Sequence, residues 1–163
     1  MKFLVIGDSC IDIFRYGKVD RLAPEAPVPI ITPERETSNP GMAGNVVKNI
    51  EALGYQVDFI TNTTEIKKIR YVCSKYNHLL LRVDENDLCR PITQKALDKI
   101  NWEKYDAIII SDYCKGFLDE NDIKYITTKH SLIFLDSKKL LGEWAHNISF
   151  IKINHHEYEK NMD

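Results

Sequence analysis

The 163-residue sequence lacks the features that mark several classes of protein. Its four cysteines are dispersed and form no C-x-x-C pair, so neither a disulfide framework nor a zinc cage is indicated. Lysine and arginine (22) do not outnumber aspartate and glutamate (24), which excludes a basic surface for nucleic acid. The longest apolar runs have the length of strands, too short to span a bilayer. With no secretory leader, we expect a cytoplasmic protein without nucleic-acid or membrane partners.

The composition is that of a folded domain, with 44% hydrophobic and 28% charged residues. Short apolar runs alternate with helical patterns along the chain, which favours an α/β fold. We expect a mostly parallel, Rossmann-like sheet with helices on both faces. The predicted strands cover 3–6, 57–61, 106–110, 132–135 and 150–153. The predicted helices cover 43–53, 92–100, 120–129 and 139–146.

Two segments do not fit this alternation and predict a second, smaller sheet. Residues 12–32 contain two extended stretches, and residues 68–84 resemble a hairpin around Tyr76-Asn77-His78. The whole chain, 1–163, is interpreted as a single domain in which these two segments form a small β lid.

Polar side chains follow the predicted strands of the main sheet. Asp8 and Asp12 follow the first strand, Asp112 and Asp136 follow two later ones, and Asn154 follows the last. Because the carboxyl ends of parallel strands share one edge, these residues predict a polar site for hydroxyls, phosphates or a divalent cation. A single carboxylate at such a position is equally typical of a turn or a cap.

The segment at 40–45, P-G-M-A-G-N, precedes the first helix. Small residues there let a ligand approach backbone N–H groups at the positive end of the helix dipole. Glycine and asparagine before a helix are also ordinary capping residues. Neither G-x-G-x-x-G after a strand nor G-x-x-x-x-G-K-[ST] occurs, so dinucleotide and P-loop interpretations lack their phosphate cradle.

Several short motifs occur in a fixed order along nearly the whole chain. The most specific are P-E-A-P-V-P at 24–29 and S-D-Y-x-K-G at 111–116. The others are G-D-x-x-x-D at 7–12, P-G-x-x-x-N at 40–45, K-I-R at 68–70, L-L-R-V-D at 80–84, D-x-K at 136–138 and N-x-x-E at 154–157. With these motifs the sequence resembles the ribokinase/PfkB family of carbohydrate kinases, and within it the heptose 7-phosphate kinases of the ADP-heptose pathway.

The resemblance implies roles for individual residues. The two segments at 12–32 and 68–84 would form a lid that covers the sugar and pairs two subunits into a homodimer. The lid arginines, Arg70 and Arg82, suit a sugar phosphate because guanidinium matches phosphate bidentately, although a solvated strand face is the alternative. The substrate-binding residues would be Asp8, Asp12, Gly41, Asn45, Arg70, Arg82 and Asp112.

The nucleotide side of the site would come from the later strand ends. The family uses ATP and Mg²⁺, and its N-x-x-E motif helps organise the metal and the nucleotide phosphates. The cofactor-binding residues would be Lys138, Lys152, Asn154 and Glu157, with Glu157 also contacting the metal.

Three departures from the family pattern bear on activity. Met42 stands where relatives have a second glycine, and a strand–helix unit that relatives carry between 57–61 and the lid hairpin is missing. The sequence also contains no G-x-G-D motif, which in relatives supplies the aspartate base and an anion hole. No residue is therefore assigned as catalytic, and the C-terminal catalytic half is interpreted as absent.

The resemblance thus implies a family activity, the ATP-dependent phosphorylation of a sugar phosphate similar to heptose 7-phosphate. We expect that activity to be impaired in this chain. Two alternatives remain open: a non-catalytic sugar-phosphate-binding or association module, and one half of a split kinase that needs a complementing C-terminal half.

Overall fold

The computed structural model describes residues 1–162, which form two sheets and four α-helices. The main sheet and its helices comprise β1 (Lys2–Gly7), α1 (Ala43–Ala52), β4 (Gln56–Thr61), α2 (Gln94–Asp98), β7 (Ala107–Asp112), α3 (Glu120–Thr127), β8 (Ile133–Ser137), β9 (Phe150–Lys152) and α4 (His155–Lys160). The five strands of this sheet are parallel and have the order β4-β1-β7-β8-β9. The predicted α/β class is confirmed.

The central strands are buried on both faces, which explains why they are continuous runs of branched apolar residues. On one face Ile6, Ile108 and Ile110 pack in the same core as Ile123 and Ile126 of α3. On the other face α1 covers the middle of the sheet. Full burial of each such side chain contributes about 1.5–3 kcal/mol, so these layers fix the sheet that carries the site.

A second sheet forms the lid. It has the order β3-β2-β5-β6, built from β2 (Ser9–Leu22), β3 (Pro29–Met42), β5 (Lys67–Cys73) and β6 (His78–Glu85). Strands β2 and β5 are parallel, and the other two pairs are antiparallel. The expected second sheet is present, and its strand β3 continues beyond residue 32 up to Met42.

Two predicted helices differ from the structure. The helix expected over 139–146 is wrong: the segment holds one 3₁₀ turn at Glu143–Ala145, because the extended backbone of Gly142 separates that turn from the residues before it. The helix expected over 92–100 is the shorter α2, which begins after Thr93, whose hydroxyl accepts the N–H of Ala96 at 3.3 Å.

Main sheet and lid are joined by a short connection at 62–66 between β4 and β5. The Asn62 side chain accepts the N–H of Ser9 at 2.7 Å and donates to the carbonyl oxygen of Thr64 at 2.6 Å. This connection sets the lid directly against the carboxyl ends of the main sheet. In the described part of the chain, residues 1–162, no helix has both the length and the apolar character needed to cross a membrane.

Candidate functional site

A cavity of about 850 Å³ lies between the lid and the carboxyl end of the main sheet. Both sheets and the start of α1 contribute to its walls. Its lining residues are Cys10, Asp12, Phe14, Asn39, Pro40, Gly41, Met42, Asn45, Lys48, Lys68, Arg70, Arg82, Tyr113 and Lys138.

One face of the lid forms the first wall. Asp12 and Phe14 of β2 lie beside Lys68 and Arg70 of β5, and Arg70 lies directly opposite Arg82 of β6. Successive side chains of a strand point to opposite faces, so these alternate positions place three cations on the side that faces the cavity. The Arg70 guanidinium also lies 5.0 Å from the centre of the Phe14 ring, within the range of a cation–π contact.

Asp12 is held by two neighbours. Its carboxylate accepts a hydrogen bond from the Arg70 guanidinium at 2.5 Å. Gly41 lies on the neighbouring strand β3, opposite Cys10, and a Cβ at this position would approach Asp12 Oδ2 to 2.3 Å. Glycine therefore lets the backbone approach the carboxylate closely. The Asp12 side chain is partly exposed to the cavity and can accept further hydrogen bonds there.

The second wall is the backbone that enters α1. Gly41 and Asn45 lie on it, and Met42 connects them with a left-handed φ of 54°. This conformation favours glycine, which gives a physical reason for the second glycine of the family motif. The N–H of Ala43 donates to the carbonyl oxygen of Asp8 at 2.9 Å, which ties this turn to the end of β1.

Tyr113 and Lys138 close the cavity on the side of the main sheet. Lys138 Nζ lies 4.8 Å from the centre of the Tyr113 ring, and the Lys138 N–H donates to the carbonyl oxygen of Asp112 at 3.2 Å. Burial raises the pKa of the Tyr113 hydroxyl, and the charge of Asp136 raises it further. Lys138 was expected to bind the nucleotide, but it lies in the same cavity as the residues that were predicted to bind the sugar.

Asp8 lies outside the cavity lining. Its side chain is fully buried, and its carboxylate accepts main-chain N–H groups from Tyr113, Lys115 and Phe117 at 2.7, 3.3 and 3.2 Å. Burial raises the pKa of this carboxyl, while the three hydrogen bonds act in the opposite direction. The structure therefore uses Asp8 to hold the loop 113–117 rather than to face a ligand.

Asp112 also does not line the cavity with Asp12, Gly41 and Asn45. It is buried at the end of β7, where its carboxylate accepts hydrogen bonds from the Ser137 hydroxyl and from Lys139 Nζ, both at 2.6 Å. A buried carboxylate needs such partners, because an unpaired one is strongly destabilising.

The residues expected to bind nucleotide lie at the ends of β8 and β9. Lys152 Nζ donates to Asp136 at 2.9 Å, and this hydrogen bond raises the lysine pKa. Asn154 and Glu157 form a reciprocal capping box at the start of α4, with side-chain hydrogen bonds of 2.8 and 2.9 Å to each other's backbone N–H. Residues 1–162 contain no group of three or more His, Cys, Asp or Glu placed to hold a metal.

Several lining residues had no individual assignment from the sequence. Lys48, Lys68, Tyr113 and Cys10 all contribute to the lining of the cavity. Lys68 and Tyr113 belong to the motifs K-I-R and S-D-Y, and the period-two alternation with Arg70 was a signal that Lys68 shares its face. Burial raises the pKa of the Cys10 thiol to about 11, so it stays protonated at neutral pH.

The sequence has relatives among characterised proteins, although no model of a protein family matches it. It is 35% identical over 148 residues to the bifunctional protein HldE of Caulobacter sp. strain K31, covering 71% of this chain and 30% of that protein. It is 30% identical over 193 residues to the protein of the same name from a Nitratiruptor species, covering 98% of this chain and 41% of that one. The chain thus spans well under half of these relatives.

Solved structures share the fold at low sequence identity. Phosphofructokinase-2 from Escherichia coli, in complex with potassium, superposes with a TM-score of 0.64 at 10% identity, covering 98% of this chain and 62% of that one. Ribokinase from Arabidopsis thaliana, complexed with ribose and ATP, gives 0.56 at 10% identity, with coverages of 97% and 61%. The resemblance of the sequence to the ribokinase/PfkB family is therefore confirmed, and the chain has a ribokinase-type fold.

Proposed function

We propose that the cavity between the main sheet and the lid binds a phosphorylated sugar, with heptose 7-phosphate as the candidate ligand. The observation that carries this proposal is the placement of Lys68, Arg70 and Arg82 on one cavity-facing surface of the lid. Arg70 and Arg82, which pair with Asp12 and Asp84, lie directly opposite each other on neighbouring strands, where like charges repel. A doubly charged phosphate between them would offset that repulsion further through bidentate hydrogen bonds.

The sugar hydroxyls would meet a different set of groups. Asp12 accepts, Asn45 can both accept and donate, and the backbone at Gly41 lies beside them on the facing wall. Asp12 keeps acceptor capacity while Arg70 binds one of its oxygens, because an ionised carboxylate has about four acceptor sites. The phosphate of the ligand would thereby meet the lid face, and its hydroxyls would meet Asp12 and the facing wall at Gly41 and Asn45.

The proposal extends to ATP on the side of the main sheet. Lys138, Lys152, Asn154 and Glu157 lie at the carboxyl ends of the neighbouring strands β8 and β9, at the edge where parallel sheets bind ligands. Lys138 lines the cavity and would lie between the two ligands. Magnesium would reach this region with the nucleotide phosphates.

We further propose that these 163 residues bind the sugar phosphate without turning over ATP at a kinase-like rate. None of them matches the G-A-G-D motif that supplies the base in relatives, and loss of a general base costs about 10²–10⁴ in rate. Loss of an anion hole costs a further factor of about 10²–10³.

A second candidate function, one half of a split kinase, is favoured by an exposed aromatic pair on the main sheet. Phe134 and Phe150 stack with ring centres 4.9 Å apart, and the Phe150 side chain is 58% exposed. Phe134 lies in register with Ile109, which packs against the α1 core, so the pair continues that apolar face beyond the helix. A complementing C-terminal half of a ribokinase-type chain would cover this surface.

Isothermal titration calorimetry with heptose 7-phosphate and with unphosphorylated heptose tests the binding proposal. We expect saturable binding of the phosphorylated sugar and affinity at least about tenfold lower for the unphosphorylated one. Equal affinity for both sugars, or no binding of either, would contradict it. Bisphosphate formation from heptose 7-phosphate and Mg-ATP tests the second part, and turnover of about one per second or faster, abolished by Asp12→Ala, would refute the expected impairment.

A further inference from the structure

Lys68 is a buried cation in the wall of the cavity. The residue lies on β5, lines the cavity beside Asp12 and Arg70, and is only 8% exposed. Lysine is almost never buried to this extent unless its ammonium is paired, because the charged group carries three N–H donors that all need acceptors. The Lys68 ammonium therefore needs hydrogen-bond acceptors in its surroundings.

The carboxylates nearest to Lys68 lie outside hydrogen-bond distance. Its Nζ is 3.6 Å from Asp84 Oδ2 and 3.6 Å from Asp87 Oδ1. Both carboxylates already have closer partners: Asp84 accepts two hydrogen bonds of 2.6 Å from Arg82, and Asp87 Oδ2 accepts one of 2.5 Å from Lys115. The two aspartates balance the charge of Lys68 but leave its donors without a close acceptor.

Asp87 shows the same incomplete pairing from the other side. Its Oδ1 atom, the one nearest to Lys68, is buried and has no hydrogen-bond donor. A purely structural ion pair in this position would close to about 2.8 Å or less. The Asp87–Lys115 pair closes to 2.5 Å. The wider separation leaves the ammonium between the aspartates and the open cavity.

The strand geometry gives Lys68 and Arg70 a common target. They are two residues apart on β5, so both side chains lie on the same face of the lid, and both line the cavity. A phosphate that accepts hydrogen bonds from Arg70 therefore lies within reach of the Lys68 ammonium. Phosphate oxygens are negatively charged hydrogen-bond acceptors, and an ammonium group forms its strongest hydrogen bonds with acceptors of this kind.

We propose that Lys68 binds the phosphate group of the ligand and determines the preference for a phosphorylated over an unphosphorylated sugar. This inference rests on the proposed function and adds a specificity-determining residue to it. Lys68 supplies a compact ammonium charge at the buried end of the subsite, while the two arginines supply the planar donors at its more open end.

The test compares Lys68→Met with Lys67→Met by calorimetry on the full chain. Lys67 is the matched control because it neighbours Lys68 on β5, does not line the cavity and pairs with Glu65 at 2.9 Å. We expect Lys68→Met to weaken binding of heptose 7-phosphate by about 10- to 100-fold and to leave binding of unphosphorylated heptose within about twofold. Lys67→Met should change neither value, and Lys68→Arg should recover part of the phosphate affinity.

The outcomes separate the two claims. If the original chain binds heptose 7-phosphate and Lys68→Met binds it equally well, or loses both sugars to the same extent, the role of Lys68 is refuted while the proposed function stands. If the original chain binds no sugar phosphate, the proposed function fails and the role of Lys68 fails with it. Lys68→Gln, which keeps a polar side chain of similar length, gives the same comparison if the methionine variant does not fold, as judged by its circular dichroism.

Discussion

The carboxylate of Asp8 accepts the main-chain N–H of Tyr113 at 2.7 Å, across the ends of strands β1 and β7. The same carboxylate binds the N–H groups of Lys115 and Phe117, so one buried side chain holds three alternate amides of a single loop. Cys114 and Gly116 between them have left-handed φ values of 56° and 97°, which turn those amides inward. Asp8 thereby positions Tyr113, which lines the cavity.

Replacing Asp8 with asparagine should destabilise the chain by about 1–3 kcal/mol. The amide NH₂ would face backbone N–H groups, leaving buried donors without an acceptor. Chemical unfolding followed by circular dichroism measures the change, and Asp20→Asn at an exposed lid position should stay within about 0.5 kcal/mol of the original chain. Equal unfolding curves for the two variants would show that the Asp8 contacts contribute little.

The Asp12–Arg70 pair should be energetically coupled. The two side chains are each about three-quarters buried and 2.5 Å apart, so we expect a coupling free energy of about 0.5–3 kcal/mol in unfolding. A double-mutant cycle with Asp12→Ala and Arg70→Met measures it. Strictly additive effects of the two substitutions would indicate that the pair is not formed in solution.

Acid should abolish a stabilising contribution of Asp58, which lies on the edge strand β4 and does not line the cavity. Hydrogen bonds from Lys104, Lys2 and Tyr105 lower the pKa of its carboxyl well below the ordinary value of 3.8. A carboxyl with a lowered pKa stabilises the fold above its ordinary pKa and loses this contribution as the pH falls through the lowered value. Asp58→Asn should therefore reduce the melting temperature at pH 7, and this difference should shrink below about pH 4. A difference that is constant from pH 7 to pH 2 would contradict the shift.

The lid should mediate homodimer formation. Its edge strands β3 and β6 each leave one side unpaired, and Leu79 and Leu81 on β6 are more than half exposed. Sedimentation velocity at high micromolar concentration should show a dimer that Leu81→Glu dissociates. Leu88→Glu is the control, because Leu88 is also exposed but lies outside the lid strands. A monomer at that concentration in the unsubstituted chain would argue against a lid interface.

The main sheet could be predicted because its central strands are buried on both faces and therefore appear as unbroken apolar runs. Most of β3 could not, since Pro33 and Pro40 argue against a strand; they are tolerated here because β3 is at the edge of the lid. Asp8 was expected to bind the substrate, whereas in the structure its buried carboxylate accepts hydrogen bonds from the loop 113–117. A carboxylate at a strand end has the same sequence signature whether it faces a ligand or a neighbouring loop.

The lining of the cavity could also be predicted only in part. The sequence indicates which face of a strand a side chain occupies, but the packing of the two sheets determines whether that side chain is buried. The alternation on β5 placed Arg70 on one face of the lid, but only the packing of lid against sheet shows that Lys68 is buried there. The short connection at 62–66 was visible as a missing unit relative to the family.

The most direct test of the central claim, a sugar-phosphate site between main sheet and lid, is an NMR titration of the ¹⁵N-labelled chain with heptose 7-phosphate. We expect saturable shifts of the amide signals of Gly41, Asn45 and Arg70, which belong to the two walls of the cavity. The amide signal of Asp58, which lies on strand β4 and does not line the cavity, should not shift. Unchanged signals at the three cavity residues, or saturable shifts centred on Asp58, would contradict the account.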